Sequence, residues 1–268
     1  MMKRRRDEQA GGTMRTAVVR HIVGRPTNAE WDEVAVESPL GVWLDGRPYA
    51  TLMRTPGEDE ALLLGFLLAE GVIEGIGDVV SIEASGHPEA QECRVRLRQP
   101  GAAPVSVRST LVSSSCGVCG RTSIVELLDR MEPIAAMRVD PVQLTGWLGV
   151  LGAAQQLFPR TGGVHAAALF TRAGGLVDLT EDVGRHNALD KLVGRAMRRG
   201  ELPLRERVLV MSSRASFDIV QKAALAGLPV VAAMGAASSL AVETARATGI
   251  QLCVFLREGG VVEIGSGR

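Results

Sequence analysis

Val208-Leu-Val-Met211 is the first of three short apolar runs near the C-terminus, and the others are Val230-Val-Ala-Ala233 and Leu252-Cys-Val-Phe-Leu256. The residues between them, 216–226 and 239–248, have the length and composition of helices, and a glycine follows each at the position of a helix C-cap. This segment therefore predicts a β-α-β-α-β unit. Right-handed crossovers would make its strands parallel and pack its helices over the sheet.

The composition agrees with an α/β protein. Hydrophobic residues make up 46% of the 268 residues but aromatic residues only 3%, so the core must consist mainly of Ala, Val, Leu and Ile. Such a core favours α/β layers over an aromatic-rich β-sandwich. The chain has 30 basic and 30 acidic residues, so no overall field attracts nucleic acid or a membrane.

The sequence lacks the patterns that would direct a protein to a membrane or out of the cell. The basic residues 3–6 are followed by Asp7 and Glu8 instead of an apolar stretch, which argues against a signal peptide. The most apolar run, residues 61–69, is too short to span a bilayer. We therefore expect a soluble, cytoplasmic protein whose thiols stay reduced.

A shift in composition near residue 133 predicts two domains. The expected parts are a disordered tail over 1–14, a smaller α+β domain over 15–135 and an α/β domain over 136–268.

Local signals predict further elements in both domains. Asp45-Gly46 lies between two strand-like segments and predicts a hairpin. Thr55-Pro56-Gly-Glu58 predicts a helix that begins with a capping box. In the second domain, Asp140 is predicted to cap one helix that runs to about Phe158.

Two loops follow the first two strands of the β-α-β-α-β unit. Parallel sheets bind ligands at the carboxyl ends of their strands, and helix N-termini offer N–H groups and partial positive charge to a phosphate. The candidate phosphate-binding residues in these loops are Ser212, Ser213, Arg214, Ser216, Gly235, Ser238 and Ser239. Simple N-capping by serine is an equally good interpretation of the two loops, so both remain open.

The segment Glu181-Asp-Val-Gly-Arg-His-Asn-Ala-Leu-Asp-Lys191 is the most polar one outside the tail. On a helix, His186 would share a face with Asp190, and Asn187 would share a face with Lys191. His186 and Asn187 are therefore candidates for moving a proton or for hydrogen-bonding a guanine and its ribose. A charge-rich surface helix is an equally good interpretation.

Cys116 and Cys119 form a C-x-x-C pair in the segment Ser113-Ser-Ser-Cys-Gly-Val-Cys-Gly-Arg121. A structural zinc ion would need four ligands, and the sequence has no second C-x-x-C or spaced pair of histidines. A redox couple fits, because a helix is predicted to follow and would lower the pKa of the first thiol. A sulfur carrier, in which a thiolate holds sulfur as a persulfide, fits as well. Residue chemistry alone leaves these two functions open.

Long motifs in a fixed order carry a family resemblance between about residues 37 and 264. They are Pro48-Tyr-Ala-Thr-Leu-Met-Arg-Thr-Pro56, Ser115-Cys-Gly-Val-Cys-Gly-Arg121, Gly162-Gly-Val-His-Ala-Ala167, the polar segment 181–191 and Gly235-Ala-Ala-Ser-Ser-Leu-Ala-Val-Glu-Thr-Ala245. Together they resemble the formate dehydrogenase accessory sulfurtransferase family, FdhD.

The resemblance implies a homodimeric sulfurtransferase that acts in molybdenum cofactor maturation. It would take sulfur from a cysteine desulfurase as a persulfide and deliver it to the molybdenum (or tungsten) bis(molybdopterin guanine dinucleotide) cofactor, which is then inserted into formate dehydrogenase. By position, Cys116 would hold the persulfide and Cys119 would assist. The family's cofactor-contact segment corresponds to Phe255, Leu256, Arg257, Glu258, Gly259 and Gly260. Many members have Arg where this chain has Gly260.

The resemblance also implies that the C-terminal half, with its parallel sheet, is similar to the cytidine deaminase fold but has no deaminase zinc site. His165, which the strand pattern predicts as a core residue, is followed by Ala166 and Ala167, so the H-x-E of the deaminases is missing. No P-C-x-x-C follows it.

Two other functions remain open. The chain could be a nucleotide-binding redox or regulatory protein whose C-x-x-C forms a reversible disulfide. It could also be a scaffold that binds a guanine dinucleotide without using its thiols.

Overall fold

The computed structural model describes residues 9–10, 12–87, 90–99, 111–112, 133–134 and 137–265. Within them the strands are β1 (Gln9–Ala10), β2 (Thr13–Arg20), β3 (Asn28–Ala35), β4 (Ser38–Leu44), β5 (Arg47–Arg54), β6 (Val79–His87), β7 (Ala90–Leu97), β8 (Leu111–Val112), β9 (His165–Thr171), β10 (Leu176–Asp182), β11 (Arg207–Met211), β12 (Val230–Ala233), β13 (Gln251–Arg257) and β14 (Gly260–Ile264). The helices in the same residues are α1 (Asp59–Ala69), α2 (Pro141–Thr145), α3 (Trp147–Ala154), α4 (Phe158–Thr161), α5 (Arg185–Arg198), α6 (Phe217–Leu225) and α7 (Ser239–Thr248), with a 3₁₀ turn at Ile76–Asp78. None of these helices is long and apolar enough to cross a bilayer.

The largest sheet has the strand order β10-β9-β11-β12-β13-β14. Its strands β11, β12 and β13 are parallel, as the sequence predicts, and α6 and α7 connect them. The remaining neighbours are antiparallel, and two of these pairs, β9–β10 and β13–β14, are hairpins whose short turns allow no other orientation. The predicted parallel sheet is therefore the centre of a mixed sheet, and a likeness to the cytidine deaminase fold stays a prediction.

Helices cover both faces of this sheet. α5, α6 and α7 pack on one face around buried residues such as Leu209 and Val231. α2 and α3 pack on the other face around Phe170 and Val210. On the far side of α5, α1 packs against a second sheet, which has the order β6-β7-β4-β5-β8. A third sheet, β1-β2-β3, completes the described strands of a mixed α/β fold.

α1 and α5 contact each other at two glycines. A Cβ atom at Gly65 would overlap the backbone carbonyl of Asp190, and a Cβ atom at Gly194 would overlap the carbonyl oxygen of Ala61. The two backbones therefore approach as closely as only glycine permits. This contact joins the two halves of the chain on either side of residue 135, where the predicted domain boundary remains untested.

The β4–β5 hairpin confirms the turn predicted at Asp45-Gly46. Both residues have positive φ, 48° and 79°, as a two-residue hairpin turn requires. On its other edge, β5 pairs in parallel with β8, which places Leu111 opposite Thr51 and Val112 opposite Leu52. Because the chain continues from β8 into residues 113–121, this pairing fixes where the C-x-x-C segment begins.

The predicted start of α1 was wrong. The helix begins at Asp59, and Glu58 at its N-cap position has a left-handed conformation, with φ 60° and no side-chain cap. The Thr55 hydroxyl instead accepts a hydrogen bond from the Val183 N–H at 3.0 Å, and Glu58 pairs with Arg195 at 2.5 Å. Both side chains of the predicted capping box therefore bond to residues far along the chain and not to the N-terminus of α1.

The helix predicted from Asp140 to Phe158 is three short helices, α2, α3 and α4. Asp140 caps the first one as predicted, because its carboxylate accepts from the Val142 N–H at 3.0 Å. The interruption before α4 is stabilised by Glu181, whose carboxylate accepts hydrogen bonds from the N–H groups of Gln156, Leu157 and Phe158 at 2.7–2.9 Å.

Strands lie inside the segment 1–14, which we expected to be disordered. Gln9 is paired with Met14, and Ala10 is paired with Thr13, so β1 and β2 are antiparallel neighbours. β2 continues the pairing with β3 over its whole length. The polar composition of the segment predicted a solvated tail. An edge strand is held by backbone hydrogen bonds, which composition does not reveal.

Candidate functional site

The carboxyl ends of β11, β12 and β13 lie side by side, and hydrogen bonds join the loops that follow them. The Gly235 N–H donates to the Ser213 carbonyl at 2.9 Å, and the Ala215 N–H donates to the Ala236 carbonyl at 3.0 Å. The Phe255 N–H donates to the Gly235 carbonyl at 3.1 Å. The structure thus brings together three of the segments in which the sequence predicts cofactor-binding residues.

Gly235 is required by this close arrangement. A Cβ atom at Gly235 would lie 2.7 Å from the Cα atom of Arg214, which is closer than real Cβ contacts. Glycine therefore allows the loop after β12 to lie directly against the backbone of the loop after β11. Arg214 itself is exposed beside this contact.

The serines of the two loops mostly make local hydrogen bonds. Ser212 accepts from the Ala166 N–H at 2.8 Å, and Ser213 donates to the Arg214 carbonyl at 3.1 Å. Ser238 caps α7 by accepting from the Ala241 N–H at 3.4 Å. These bonds are those expected from structural serines.

Ser216 and Ser239 differ from the other serines. Ser216 has the N-cap position of α6 without a side-chain cap, and its hydroxyl donates to Asp218 at 3.3 Å. Ser239 is the exposed first residue of α7. Both hydroxyl groups lie at helix N-termini, where a phosphate would be stabilised.

Beside the strand ends, titratable residues from β9, α5, α6 and the loop between β11 and α6 form a group that we call the basic cluster. Its members are His165, Arg185, His186, Arg214 and Asp218. Burial lowers the pKa of Arg185, the nearby Asp218 raises it and Arg214 lowers it again. Burial and then the charge of Arg185 lower the pKa of His165, although Asp182 opposes them. The Nε2 atom of His186 lies 3.6 Å from a carboxylate oxygen of Asp218.

The basic cluster has an electrostatic cost that an anion would offset. Arg214 is near enough to disfavour the charge of Arg185, and the Arg185 Nε atom is buried without a hydrogen-bond partner among the described residues. A buried donor without a partner costs about 1–3 kcal/mol, and more for a charged group. A phosphate or pyrophosphate supplies both the acceptor and the negative charge.

Sequence reasoning did not select Arg185 or Asp218, and it interpreted His165 as a core residue. His165 is only partly buried at the first position of β9. The available signal was the position of Arg185 at the first residue of a helix, next to His186 in the polar segment. Its proximity to Arg214 depends on the order of strands in the sheet, which the sequence does not state.

The polar segment 181–191 comprises the end of β10, a short turn and the start of α5, and the side chains on α5 face in two directions. His186 faces Asp218 on α6, and Asp190 on the same face accepts from Lys222 at 2.6 Å. The shared faces are as predicted, but α5 is buried and is not a surface helix.

Asn187 is turned away from the strand ends. Its amide donates to Asp182 at 2.9 Å and to the Met53 carbonyl at 2.7 Å. This geometry uses both amide protons within the protein, and a role of Asn187 in guanine binding stays a prediction.

The predicted cofactor-contact segment spans the end of β13 and the start of β14. Phe255 has a φ of 52° and its ring is about half exposed, at 49%. Leu256 is fully buried in the core, so only its backbone could contact a ligand, and its role in cofactor binding stays a prediction. Arg257 donates to the Met234 and Leu256 carbonyls. The remaining members, Glu258, Gly259 and Gly260, form the turn and the first position of β14.

The two candidate thiols, Cys116 and Cys119, lie outside the described residues. The other two cysteines are buried, and burial raises the pKa of Cys93 to about 11 and that of Cys253 to about 12. Both are protonated at neutral pH and therefore poor nucleophiles. In the part of the chain that the structure describes, no group of three or more His, Cys, Asp or Glu side chains could hold a metal ion.

Comparison with known proteins identifies the family. Residues 35–264 match the model of the FdhD/NarQ family. The chain belongs to the FdhD/NarQ family. Among curated FdhD/NarQ relatives, the "Sulfur carrier protein FdhD" of Anaeromyxobacter dehalogenans (strain 2CP-1) is 44% identical over 257 residues, which cover 90% of this chain and 89% of that protein.

Other FdhD relatives agree with this assignment. The protein of the same name from Streptomyces coelicolor is 46% identical, with 84% of each chain covered. That of Mycobacterium tuberculosis is 43% identical, with 89% of this chain and 92% of its own length covered.

The fold is also found in a crystal structure. The structure of a protein from Desulfotalea psychrophila superimposes on this chain with a TM-score of 0.74. The superposition covers 94% of this chain and 96% of that protein, which is described as a formate dehydrogenase accessory protein. The two sequences are 22% identical, so this likeness shows the FdhD fold alone.

Proposed function

We propose that this protein is a sulfur carrier that accepts persulfide sulfur from a cysteine desulfurase and transfers it to molybdenum (or tungsten) bis(molybdopterin guanine dinucleotide). The sulfurated cofactor would then enter formate dehydrogenase. The names of the curated relatives support the carrier role. The observation that carries the acceptor part is the basic cluster beside the strand ends, because it offers two guanidinium groups to the pyrophosphates of a dinucleotide.

The first chemical step is thiol exchange at Cys116. Its thiolate attacks the outer sulfur of the desulfurase persulfide, the donor S–S bond breaks, and the donor cysteine leaves as a thiolate. Cys116 then carries a persulfide. The buried thiols Cys93 and Cys253 do not compete, because their raised pKa values keep them protonated.

Cys119 would assist the release of the sulfur. Its thiolate attacks the inner sulfur of the Cys116 persulfide, which forms a Cys116–Cys119 disulfide and releases hydrosulfide to the metal of the cofactor. The carried sulfur is reduced and the two thiols are oxidised, so a thiol reductant must supply two electrons before the next cycle. This requirement agrees with a cytoplasmic location.

The acceptor would lie along the carboxyl ends of β11, β12 and β13. Arg185 and Arg214 would hold the phosphates, with Ser216 and Ser239 at the N-termini of α6 and α7 as further donors. The half-exposed ring of Phe255 offers a flat surface on which guanine can stack. Two equivalent sites in a homodimer would then match the two nucleotides of the cofactor.

The carrier role is tested by mass spectrometry after incubation with a cysteine desulfurase and cysteine. The wild-type protein and the Cys119→Ala variant should gain the mass of one sulfur atom on Cys116, and Cys116→Ala should not. Equal loading of the Cys116→Ala variant would disprove the role of Cys116. A Cys116–Cys119 disulfide in the wild type, together with no persulfide on Cys116 in the Cys119→Ala variant, would support the redox function instead.

The acceptor site is tested by binding of GDP as a probe of the nucleotide. Arg185→Ala and Arg214→Ala should each weaken binding at least about tenfold, because a hydrogen bond to a charged group contributes about 1.5–3 kcal/mol. The matched control is Arg205→Ala, which removes an exposed arginine just before the amino end of β11, at the opposite end of that strand from the proposed site. Equal GDP affinity in all three variants would place the nucleotide elsewhere.

A further inference from the structure

A buried group of polar side chains connects the two halves of the chain next to the basic cluster. We call it the Asp182 network, and its members are Thr55, Asp182, Asn187 and Lys191. All four are at most 6% exposed. The Asp182 carboxylate accepts from the Thr55 N–H at 3.0 Å, the Gly184 N–H at 2.9 Å and the Asn187 amide at 2.9 Å. Its charge is balanced by the Lys191 ammonium at 2.7 Å.

Further hydrogen bonds join the network to the backbone at the end of β5 and in the segment between β5 and α1. The Lys191 ammonium also donates to the Thr55 carbonyl at 2.9 Å, and the Thr55 hydroxyl accepts from the Val183 N–H at 3.0 Å. Asn187 donates to the Met53 carbonyl at 2.7 Å. The end of β5 is therefore attached to the start of α5 by bonds from both sides.

The network lies between two functional elements. On one side is β5, whose residues Thr51 and Leu52 pair with β8, the strand from which the chain enters the C-x-x-C segment. On the other side is the first turn of α5, which begins with Arg185 and His186 of the basic cluster. The Asp182 network thus links the strand that precedes the thiols to the helix that carries the proposed phosphate-binding arginine.

Stability alone does not explain why the Asp182 network carries buried charges. A buried ion pair often contributes little net stability compared with a hydrophobic substitute, because removing both charges from water is costly. What a fully bonded network does provide is one fixed arrangement, since any shift leaves a buried charge without partners. Here the network fixes the position of the end of β5 relative to the first turns of α5.

We propose that the Asp182 network is a positioning device for sulfur delivery, which holds the β5–β8 pair in register with the basic cluster. Thr55 and Asp182 act through the elements that they join and do not contact the sulfur or the cofactor. This inference rests on the proposed function. It predicts that loosening the network slows the transfer of sulfur to the acceptor, while loading of Cys116 and binding of GDP continue.

The sharpest test compares Thr55→Val with Thr55→Ser. Valine keeps the shape of threonine but cannot accept the Val183 hydrogen bond, and serine keeps the acceptor. Three quantities are measured for each protein: persulfide loading by the desulfurase, GDP affinity, and the single-turnover rate at which loaded protein transfers sulfur to the dinucleotide cofactor. Positioning predicts a transfer rate lowered at least about tenfold in Thr55→Val, close to the wild-type rate in Thr55→Ser, and unchanged loading and affinity in both.

A second variant removes the charges as a pair. Asp182→Asn combined with Lys191→Met leaves no buried charge alone, so the fold can persist without the ion pair. It should show the same selective loss of transfer.

The outcomes separate the inference from the function on which it rests. Wild-type protein that neither loads nor transfers sulfur would overturn both. Wild-type protein that transfers sulfur, with Thr55→Val transferring at the same rate, would overturn positioning alone. Parallel losses of loading, GDP affinity and melting temperature in Thr55→Val and in the double variant would also overturn the positioning role, because they indicate a purely structural network.

Discussion

The carbonyl oxygen of Ala61 in α1 occupies the space where a side chain at Gly194 in α5 would begin. A Gly194→Ala substitution must therefore push the two helices apart. We predict that it lowers the free energy of unfolding by about 1–3 kcal/mol or more, as overpacking in a core does. Chemical denaturation measures this change.

The matched control for that prediction is Gly152→Ala in α3. A Cβ atom there has no neighbour within 4 Å, so alanine should be neutral or stabilise the helix by up to about 1 kcal/mol. Equal stability of the Gly194→Ala protein and the wild type would contradict the close contact of α1 and α5.

Gly235→Ala should weaken nucleotide binding more than it weakens the fold. The added methyl group would meet the Arg214 backbone at 2.7 Å and displace the loop that carries a proposed phosphate-binding side chain. GDP titration should show at least about a tenfold loss of affinity. Gly149→Ala in α3, which adds a methyl group where nothing lies within 4 Å and lies outside the predicted binding segments, should bind GDP like the wild type.

The four cysteines should differ in their reaction with iodoacetamide. Burial raises the pKa of Cys93 to about 11 and that of Cys253 to about 12, so the folded protein should be alkylated at Cys116 and Cys119 alone. Peptide mass mapping identifies the modified residues, and the unfolded protein should react at all four. Rapid labelling of Cys253 in the folded protein would contradict its burial within β13.

Asp190 should give stability a pH dependence of unusual sign. Burial raises the pKa of its carboxyl from 3.8 to about 6, although Lys222 opposes this shift. The folded state therefore holds the proton more tightly than the unfolded state, and this group lowers stability as pH rises from about 4 to 6.

Unfolding measurements across this pH range test the assignment. The difference in unfolding free energy between wild type and Asp190→Asn should decrease from pH 4 to 6 and remain constant above it. A difference that increases over the same range would mean that Lys222 lowers the pKa of Asp190 more than burial raises it.

The centre of the fold could be predicted because its signals are local. The apolar strands β11, β12 and β13, and the glycines after α6 and α7, depend on burial and backbone conformation at their own positions. The antiparallel strands around them add pairings that the β-α-β-α-β pattern does not contain.

Long-range contacts explain what the sequence did not predict. Thr55 and Glu58 have the pattern of a capping box, but Val183 and Arg195, far along the chain, take their side chains. Glu181 interrupts the helix predicted up to Phe158 by binding the backbone before α4. A tertiary partner outweighs a local preference of about 1 kcal/mol, and a single sequence does not name that partner.

The candidate site shows the same difference between local signals and long-range contacts. The sequence predicted that the two serine-containing loops follow adjacent parallel strands, and the hydrogen bond from the Gly235 N–H to the Ser213 carbonyl shows that they lie side by side. The approach of Arg185 to Arg214 could not be predicted, because it depends on where β9 and α5 lie beside β11.

The most direct test of the account follows one labelled sulfur atom. Protein loaded at Cys116 with isotopically labelled persulfide is mixed with the unsulfurated guanine dinucleotide cofactor, and the cofactor is then analysed by mass spectrometry. We predict that the label moves from Cys116 to the cofactor, and that it does so much more slowly when Arg185 or Arg214 is replaced by Ala. Label that stays on the protein, or that reaches the cofactor equally fast from a small-molecule persulfide alone, would contradict the proposed function.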